Sequence, residues 1–135
     1  MIWITWVALS VLLIGSVGVI TVLTARRTPS SAFVYDTFGA EAIVFDQTYE
    51  GGGSSEDRTR TVALATARAP DDVLRSITAS GGWKAVAGGI ERRSDNLCVV
   101  AYSAGDYIAS HPGRQRGRQV AEARPDVVIL SLLYC

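Results

Sequence analysis

The longest uncharged stretch of the chain, residues 2–25, limits what this protein can fold into more than any other feature. It reads IWITWVALSVLLIGSVGVITVLTA and contains no Asp, Glu, Lys or Arg. At a rise of about 1.5 Å per residue, a helix of this length spans about 36 Å, enough to cross a bilayer core of about 30 Å. A helix that is apolar on every face has no polar side to present to water. We therefore expect residues 1–25 to form a single transmembrane helix in contact with membrane lipid.

Two other interpretations of this segment remain open: a buried helix of a soluble protein and a cleaved signal peptide. A signal peptide begins with basic residues and has an apolar region of about 7–15 residues. Here no basic residue precedes a longer apolar run, and Leu23 would occupy the −3 position of a cut after Ala25, where a small residue is needed. Both features favour a retained membrane segment.

The remaining sequence is long enough for one small domain. After a short linker at residues 26–31, which contains Pro29, residues 32–135 are of ordinary single-domain length. The 13 basic residues of the whole chain balance its 13 acidic residues, so overall charge suggests no nucleic-acid partner.

The first half of the domain shows strand patterns and one helix pattern. Residues 32–50 predict one bent strand or two short ones, in which Ile43 and Phe45 face one side and Val44 the other. A polar, glycine-rich loop at residues 51–57 separates them from a strand within residues 58–68. Residues 69–82 predict a helix with proline and aspartates in its first turn and two glycines at its end.

The second half predicts a hairpin, a weak helix and a final strand. Residues 83–87 and 97–103 have strand composition and flank a polar turn at residues 92–96. We expect Trp83 to close the end of the preceding helix against the sheet, with ligand stacking as the alternative. Residues 114–124 predict a modest helix, and the apolar run at residues 127–135 predicts a central strand covered on both faces. The order of elements indicates a small α+β domain: a mostly antiparallel sheet with one or two helices packed on one face.

Four polar residues supply the strongest candidate for catalysis. Ser103, Asp106, Ser110 and His111 lie within nine positions, and a hydroxyl, a carboxylate and an imidazole are the groups that nucleophilic hydrolysis uses. The G-x-S-x-G motif that places a nucleophilic serine on a sharp turn is absent. We expect a polar loop here and keep a serine hydrolase as the alternative.

Three arginines supply a candidate anion contact. Arg114, Arg116 and Arg118 fall within five positions, and such clusters contact phosphates of lipid or nucleic acid. No aromatic residues alternate with them, which argues against nucleic acid. The expected alternatives are a solvated helix face and contact with anionic lipid or a protein partner.

The two cysteines and the basic residues beside the membrane segment give opposite indications of orientation. Arg26 and Arg27 follow the apolar run and favour a cytoplasmic domain. Cys98 and Cys135 lie in two strand-like runs, and a disulfide between them would favour an extracytoplasmic domain; two buried free thiols are the alternative. On balance we expect a cytoplasmic domain.

Neither a metal nor a cofactor is indicated by the sequence. The chain has three Cys and His residues in total, fewer than the four ligands of a structural zinc site, and the carboxylates at positions 36, 41, 46 and 50 do not form a calcium loop. We expect a membrane-anchored, non-catalytic binding or accessory domain with a protein partner. The alternatives are the tethered hydrolase and a domain that binds an anionic lipid surface.

Overall fold

A computed structural model describes residues 27–50 and 57–135. The predicted transmembrane segment, residues 1–25, and most of the glycine-rich loop lie outside the described residues. Within the described ranges no helix is both long enough and apolar enough to cross a membrane.

Six antiparallel strands form one sheet, with helices against it, which confirms the predicted small α+β domain. The spatial order of the strands is β1-β2-β6-β5-β4-β3, and every neighbouring pair is antiparallel. The elements are α1 (Ala32–Phe38), a 3₁₀ helix (Ala40–Ala42), β1 (Ile43–Tyr49), β2 (Thr59–Ala65), α2 (Pro70–Thr78), β3 (Trp83–Val86), β4 (Gly89–Arg92), β5 (Leu97–Ser103), α3 (Ala104–Ser110), α4 (Gln115–Ala123) and β6 (Val127–Tyr134).

Strand β6 is the centre of the sheet, as its apolar sequence predicts. It pairs with β2 on one side and with β5 on the other, and its first six residues are buried. Side chains alternate between the two faces of a strand, so a strand that is apolar at successive positions needs cover on both faces.

Helices cover both faces of the sheet, which corrects the expectation that they pack on one face. Helices α1 and α2 pack on the face that carries Val62, Leu64 and Leu130. Helices α3 and α4 pack on the opposite face, which carries Ala63 and Ile129. The physical reason is the apolar sequence of β6, since one helical layer would leave half of its side chains in water.

The start of the domain is helical, and the prediction of strand structure from residue 32 is wrong for α1. The segment AFVYDTF is rich in residues with β propensity. However, Val34 is fully buried, and Phe33 and Phe38 pack against the same cluster. These contacts with the rest of the core outweigh a weak local preference.

The predicted hairpin is a three-stranded meander. Strand β4, which the sequence did not indicate, pairs with β3 and with β5. Gly88 joins β3 to β4 with a φ of 81°, a conformation that favours glycine. Gly89 lies so close to the Val99 carbonyl oxygen that no side chain would fit.

The predicted helix of residues 69–82 is confirmed as α2. Pro70 lies at its first turn with Asp71 and Asp72, and its buried residues are Val73, Leu74 and Ile77. Trp83 follows and packs against the same core; its ring centroid lies 5.3 Å from that of Phe33.

Arg27, the first described residue, is held at one end of the sheet. Its guanidinium lies 2.6 Å from Asp57 and 4.3 Å from the centre of the Tyr134 ring. Its carbonyl accepts a hydrogen bond from the Arg58 amide at 2.9 Å. Tyr134 ends β6 and Arg58 precedes β2, so residue 27 lies where β2 begins and β6 ends.

Candidate binding groove

A groove of about 480 Å³ lies between edge strand β1 and helix α4. Strand β1 has β2 on one side and no strand on its other side within residues 27–50 and 57–135. The residues that line the groove are Val44, Phe45, Arg116, Gln119, Val120, Ala123 and Arg124.

A β-bulge in β1 builds one wall of the groove. The register shifts between Ile43 and Phe45, which inserts Val44 as an extra residue. Ile43 packs on the α1–α2 face, whereas Val44 and Phe45 both pack on the α3–α4 face. The predicted strict alternation, with Ile43 and Phe45 on one face, is therefore wrong, because a bulge changes the direction of the side chains that follow it.

Helix α4 forms the other wall, and its buried face determines how closely it approaches helix α3. Its buried residues are Gly117 and Ala121. A Cβ atom at Gly117 would lie 2.5 Å from the hydroxyl of Tyr107, which is itself fully buried. The glycine thus allows α4 to lie against α3, as the close approach of helices often requires.

The three arginines of the predicted anion contact have different surroundings. Arg118 pairs with Glu122 at 2.9 Å on an exposed face of α4. Arg114 lies with its guanidinium carbon 4.8 Å from the centre of the Tyr49 ring, and its Nη1 is buried without a hydrogen-bond partner among the described residues. Only Arg116 lines the groove.

A small buried polar cluster lies beneath the start of α4. The hydroxyls of Thr61, Tyr107 and Ser131 are buried and, within the described residues, make no hydrogen bond of good geometry. Burial raises the pKa of Tyr107, and nearby Thr61 and Arg114 only partly offset that rise.

The residues of the predicted hydrolase site have structural roles around helix α3. The Ser103 hydroxyl caps the helix by accepting a hydrogen bond from the Asp106 amide at 3.2 Å. At the other end of the helix, the Ser110 hydroxyl donates to the Asp106 carbonyl at 2.7 Å and lies 2.9 Å from His111 Nδ1.

The Ser110–His111 contact does not have the arrangement that a hydrolase needs. His111 Nδ1 also lies 3.3 Å from the Tyr107 carbonyl, which can only accept, so these contacts favour the tautomer with a hydrogen on Nδ1. A general base must instead accept the proton of the serine hydroxyl. The His111 ring stacks on Tyr107 with centroids 4.4 Å apart, and burial lowers its pKa, so it is neutral at pH 7.

Cys98 and Cys135 form a disulfide, with Cα atoms 5.9 Å apart. Glu91 lies close to both sulfur atoms, and the three residues would resemble part of a metal site if the thiols were free. Disulfide sulfurs are not thiolate ligands, so this group holds no metal in the bonded state. The bond joins β5 to the residue that follows β6.

Asp46, one of the carboxylates considered for a hard cation, is engaged by protein groups. Arg60 donates to it twice, at 2.7 and 3.1 Å, and Ser31 and Tyr35 donate at 2.8 and 3.1 Å. Burial raises the pKa of Asp46, but the hydrogen bonds from these three residues together outweigh it and lower the pKa overall. The network attaches the start of the domain to β1 and β2.

The groove is the feature that sequence reasoning missed. One signal was present: residues 116, 119, 120, 123 and 124 follow the spacing of one helical face. The bulge that turns Val44 toward them has no such signal. Comparison with known proteins finds no matching family model, no matching curated protein and no matching solved structure.

Proposed function

We propose that this protein is a membrane-anchored, non-catalytic domain that binds a protein partner through the groove between β1 and α4. The observation that carries the proposal is the groove itself, which has apolar side chains on both walls and an exposed arginine toward each end of α4. Binding sites of this kind are concave and mostly apolar, with a few polar groups that fix orientation. In this proposal residues 2–25 form the anchor.

We place the domain on the oxidising side of the membrane. Arg26 and Arg27 favour a cytoplasmic domain, but the excess of basic residues on the cytoplasmic side is a statistical tendency, and only two residues express it here. A structural disulfide persists in secreted, periplasmic or cell-surface proteins and is rare in the cytosol. The bond between Cys98 and Cys135 therefore favours the extracytoplasmic side.

Two observations favour binding over the alternative functions. The His111 atom that lies against Ser110 is Nδ1, and Ser110 donates its hydroxyl to the Asp106 carbonyl, so this contact is not that of a nucleophile with its base. Arg114, Arg116 and Arg118 have separate surroundings, which argues against one lipid-binding patch built from all three.

Site-specific photo-crosslinking in intact cells tests the function. A photoreactive amino acid at Gln119, which is exposed and lines the groove, should give an adduct of higher mass with the full-length chain. The same amino acid at Arg75, which is exposed on α2 across the sheet, should give none. No adduct at either position, or equal adducts at both, would contradict a binding role for the groove.

Thiol labelling tests the orientation. Without reduction, a membrane-impermeant maleimide should label neither Cys98 nor Cys135 in intact cells. After treatment with an impermeant reductant, the same reagent should label both. Labelling that requires cell lysis would place the domain in the cytoplasm. Removal of residues 2–25 should release the protein from the membrane fraction, and continued sedimentation with membranes would argue against the anchor.

A further inference from the structure

Helix α4 presents a stripe to the groove with a positive charge at each end. The stripe consists of Arg116, Gln119, Val120, Ala123 and Arg124. These residues are spaced i, i+3, i+4, i+7 and i+8, so they lie on one face of the helix. Its centre is mostly apolar and faces Val44 and Phe45 of β1.

The two terminal arginines of the stripe have no acidic partner within the described ranges. By contrast, seven other arginines form ion pairs there: Arg27, Arg58, Arg60, Arg75, Arg92, Arg93 and Arg118. Arg116 and Arg124 are both exposed at the groove. The charges of the groove are thus complementary to a partner with two carboxylates and an apolar group between them.

The spacing of the arginines sets the spacing of those carboxylates. Eight residues of α-helix advance about 12 Å along the axis. An extended chain advances about 3.3 Å per residue, so residues i and i+4 of an extended peptide are about 13 Å apart. Residue i+2 of such a peptide points to the same side as both.

We propose that the groove binds an extended polypeptide segment of the pattern acid–x–apolar–x–acid. The two carboxylates bind Arg116 and Arg124, and the apolar side chain enters the groove between Val44 and Val120. This inference rests on the proposed function and adds the chemistry of the partner. The bulge interrupts the regular edge of β1 at Val44, so side-chain contacts carry the binding.

The position of the groove favours a peptide over membrane lipid. Arg27, which follows the proposed anchor, lies near Tyr134 and Asp57, at the end of the sheet where β1 finishes. Val44 lies near the start of β1, about 16 Å along the strand from Tyr49. Helix α4 also ends toward that far end, because its C-terminus leads to Val127, which pairs with the last residue of β2. The groove therefore extends away from the anchored end.

Peptide binding to the full-length chain tests the inference. The protein is placed in nanodiscs of neutral phosphatidylcholine and titrated with a fluorescent peptide, Ser-Glu-Ser-Leu-Ser-Glu-Ser. We expect saturable binding that weakens at least tenfold when both glutamates of the peptide are replaced by glutamine. Binding should weaken to a similar extent for the variant Arg116→Glu/Arg124→Glu.

Matched variants separate the groove from overall charge. The variant Lys84→Glu/Arg93→Glu makes the same change of charge near the opposite edge of the sheet, at two exposed residues, and should bind the glutamate peptide like the wild type. A peptide with lysine in place of glutamate should bind Arg116→Glu/Arg124→Glu and not the wild type. That restored binding also shows that the groove variant is folded.

Three outcomes would overturn the inference. The first is no binding of the glutamate peptide to the wild type at about 1 mM, a weak-affinity limit. The second is an equal loss of peptide affinity in the two double variants. The third is binding of phosphatidylglycerol vesicles that depends on Arg116 and Arg124, without binding of the peptide. If the crosslink at Gln119 persists while the peptide fails, partner binding stands and only this partner chemistry is wrong. If the crosslink fails, the proposed function fails whatever the peptide does.

Discussion

At the scale of single residues, Asp46 joins the start of the domain to its sheet. The side chain is 11% exposed and accepts hydrogen bonds from Ser31, Tyr35 and Arg60. Replacing Asp46 by Asn removes the charge and leaves the Arg60 guanidinium without a charged partner. We expect a loss of about 2 kcal/mol in the free energy of unfolding at pH 7, measured by urea denaturation. Glu122→Gln, which breaks an exposed pair, should cost less than about 0.5 kcal/mol.

The contribution of Asp46 should depend on pH. Its pKa is lowered in the folded state, so the unfolded state binds more protons as the solution becomes acidic. The stabilisation is complete above the unfolded pKa and is lost as pH falls through the folded pKa. The difference in stability between wild type and Asp46→Asn should therefore shrink between about pH 5 and about pH 2. A difference that grows on acidification would show that the Asp46 network is not the cause.

Gly117 and Gly105 provide a matched pair of glycines within helices. A Cβ atom at Gly117 would meet the buried Tyr107 ring, whereas a Cβ at Gly105 would meet nothing within 4 Å. We expect Gly117→Ala to lower the free energy of unfolding by about 1–2 kcal/mol, because overpacking outweighs the gain in helix propensity. Gly105→Ala should raise it by up to about 1 kcal/mol. Equal effects of the two substitutions would show that α4 does not depend on close packing at Gly117.

At the scale of elements, the sequence predicted secondary structure correctly where local signals and the pattern of buried residues favour the same structure. Helix α2 has proline and aspartates at its start and an apolar stripe at helical spacing, and the structure has the helix where these signals place it. Helix α1 has aromatic and β-branched residues, which favour a strand. It is helical because Val34 packs into the core, and no local sequence pattern shows that contact. The bulge in β1 also has no signal in the sequence, because it arises from the register in which β1 pairs with β2.

The central and edge strands should respond differently to loss of side-chain volume. Leu130 in β6 is fully buried, whereas Val86 in edge strand β3 is 37% exposed. Truncating Leu130 to Ala should cost about 3–4 kcal/mol through the lost burial and the cavity that remains. Truncating Val86 to Ala should cost less than about 0.5 kcal/mol. Denaturation curves of the two variants check this, and similar costs would contradict the central position of β6.

At the scale of the whole molecule, the disulfide limits the freedom of the unfolded chain. Cys98 and Cys135 are 37 positions apart, so the bond closes a long loop that contains α3, α4 and β6. Closing a loop of about this length stabilises a protein by roughly 3–4 kcal/mol in the chain-entropy model. The double variant Cys98→Ala/Cys135→Ala should lose about that much stability. It should resemble the wild type measured in reductant, and unchanged denaturation in both cases would show that the bond adds nothing to stability.

Arg27 and the groove lie toward different ends of the sheet. Arg27 is fixed at one end of the sheet, while the groove extends toward the other end between the first residues of β1 and the last residues of α4. If residues 2–25 anchor the chain as proposed, the groove extends away from the anchored end and is open to a partner. In contrast to the groove, the residues of the predicted hydrolase site act as a helix cap and as packing around α3.

The sequence alone determined the features that depend on periodicity and composition: the uncharged segment at residues 2–25, the α+β class, helix α2 and the central position of β6. These follow from interactions between near neighbours and from the need to remove apolar side chains from water. Only the tertiary structure decided which helices cover each face, that α1 is a helix, and that Val44 faces Arg116 across a groove. Each of these depends on contacts between residues far apart in the chain, and such contacts leave no periodic trace in the sequence.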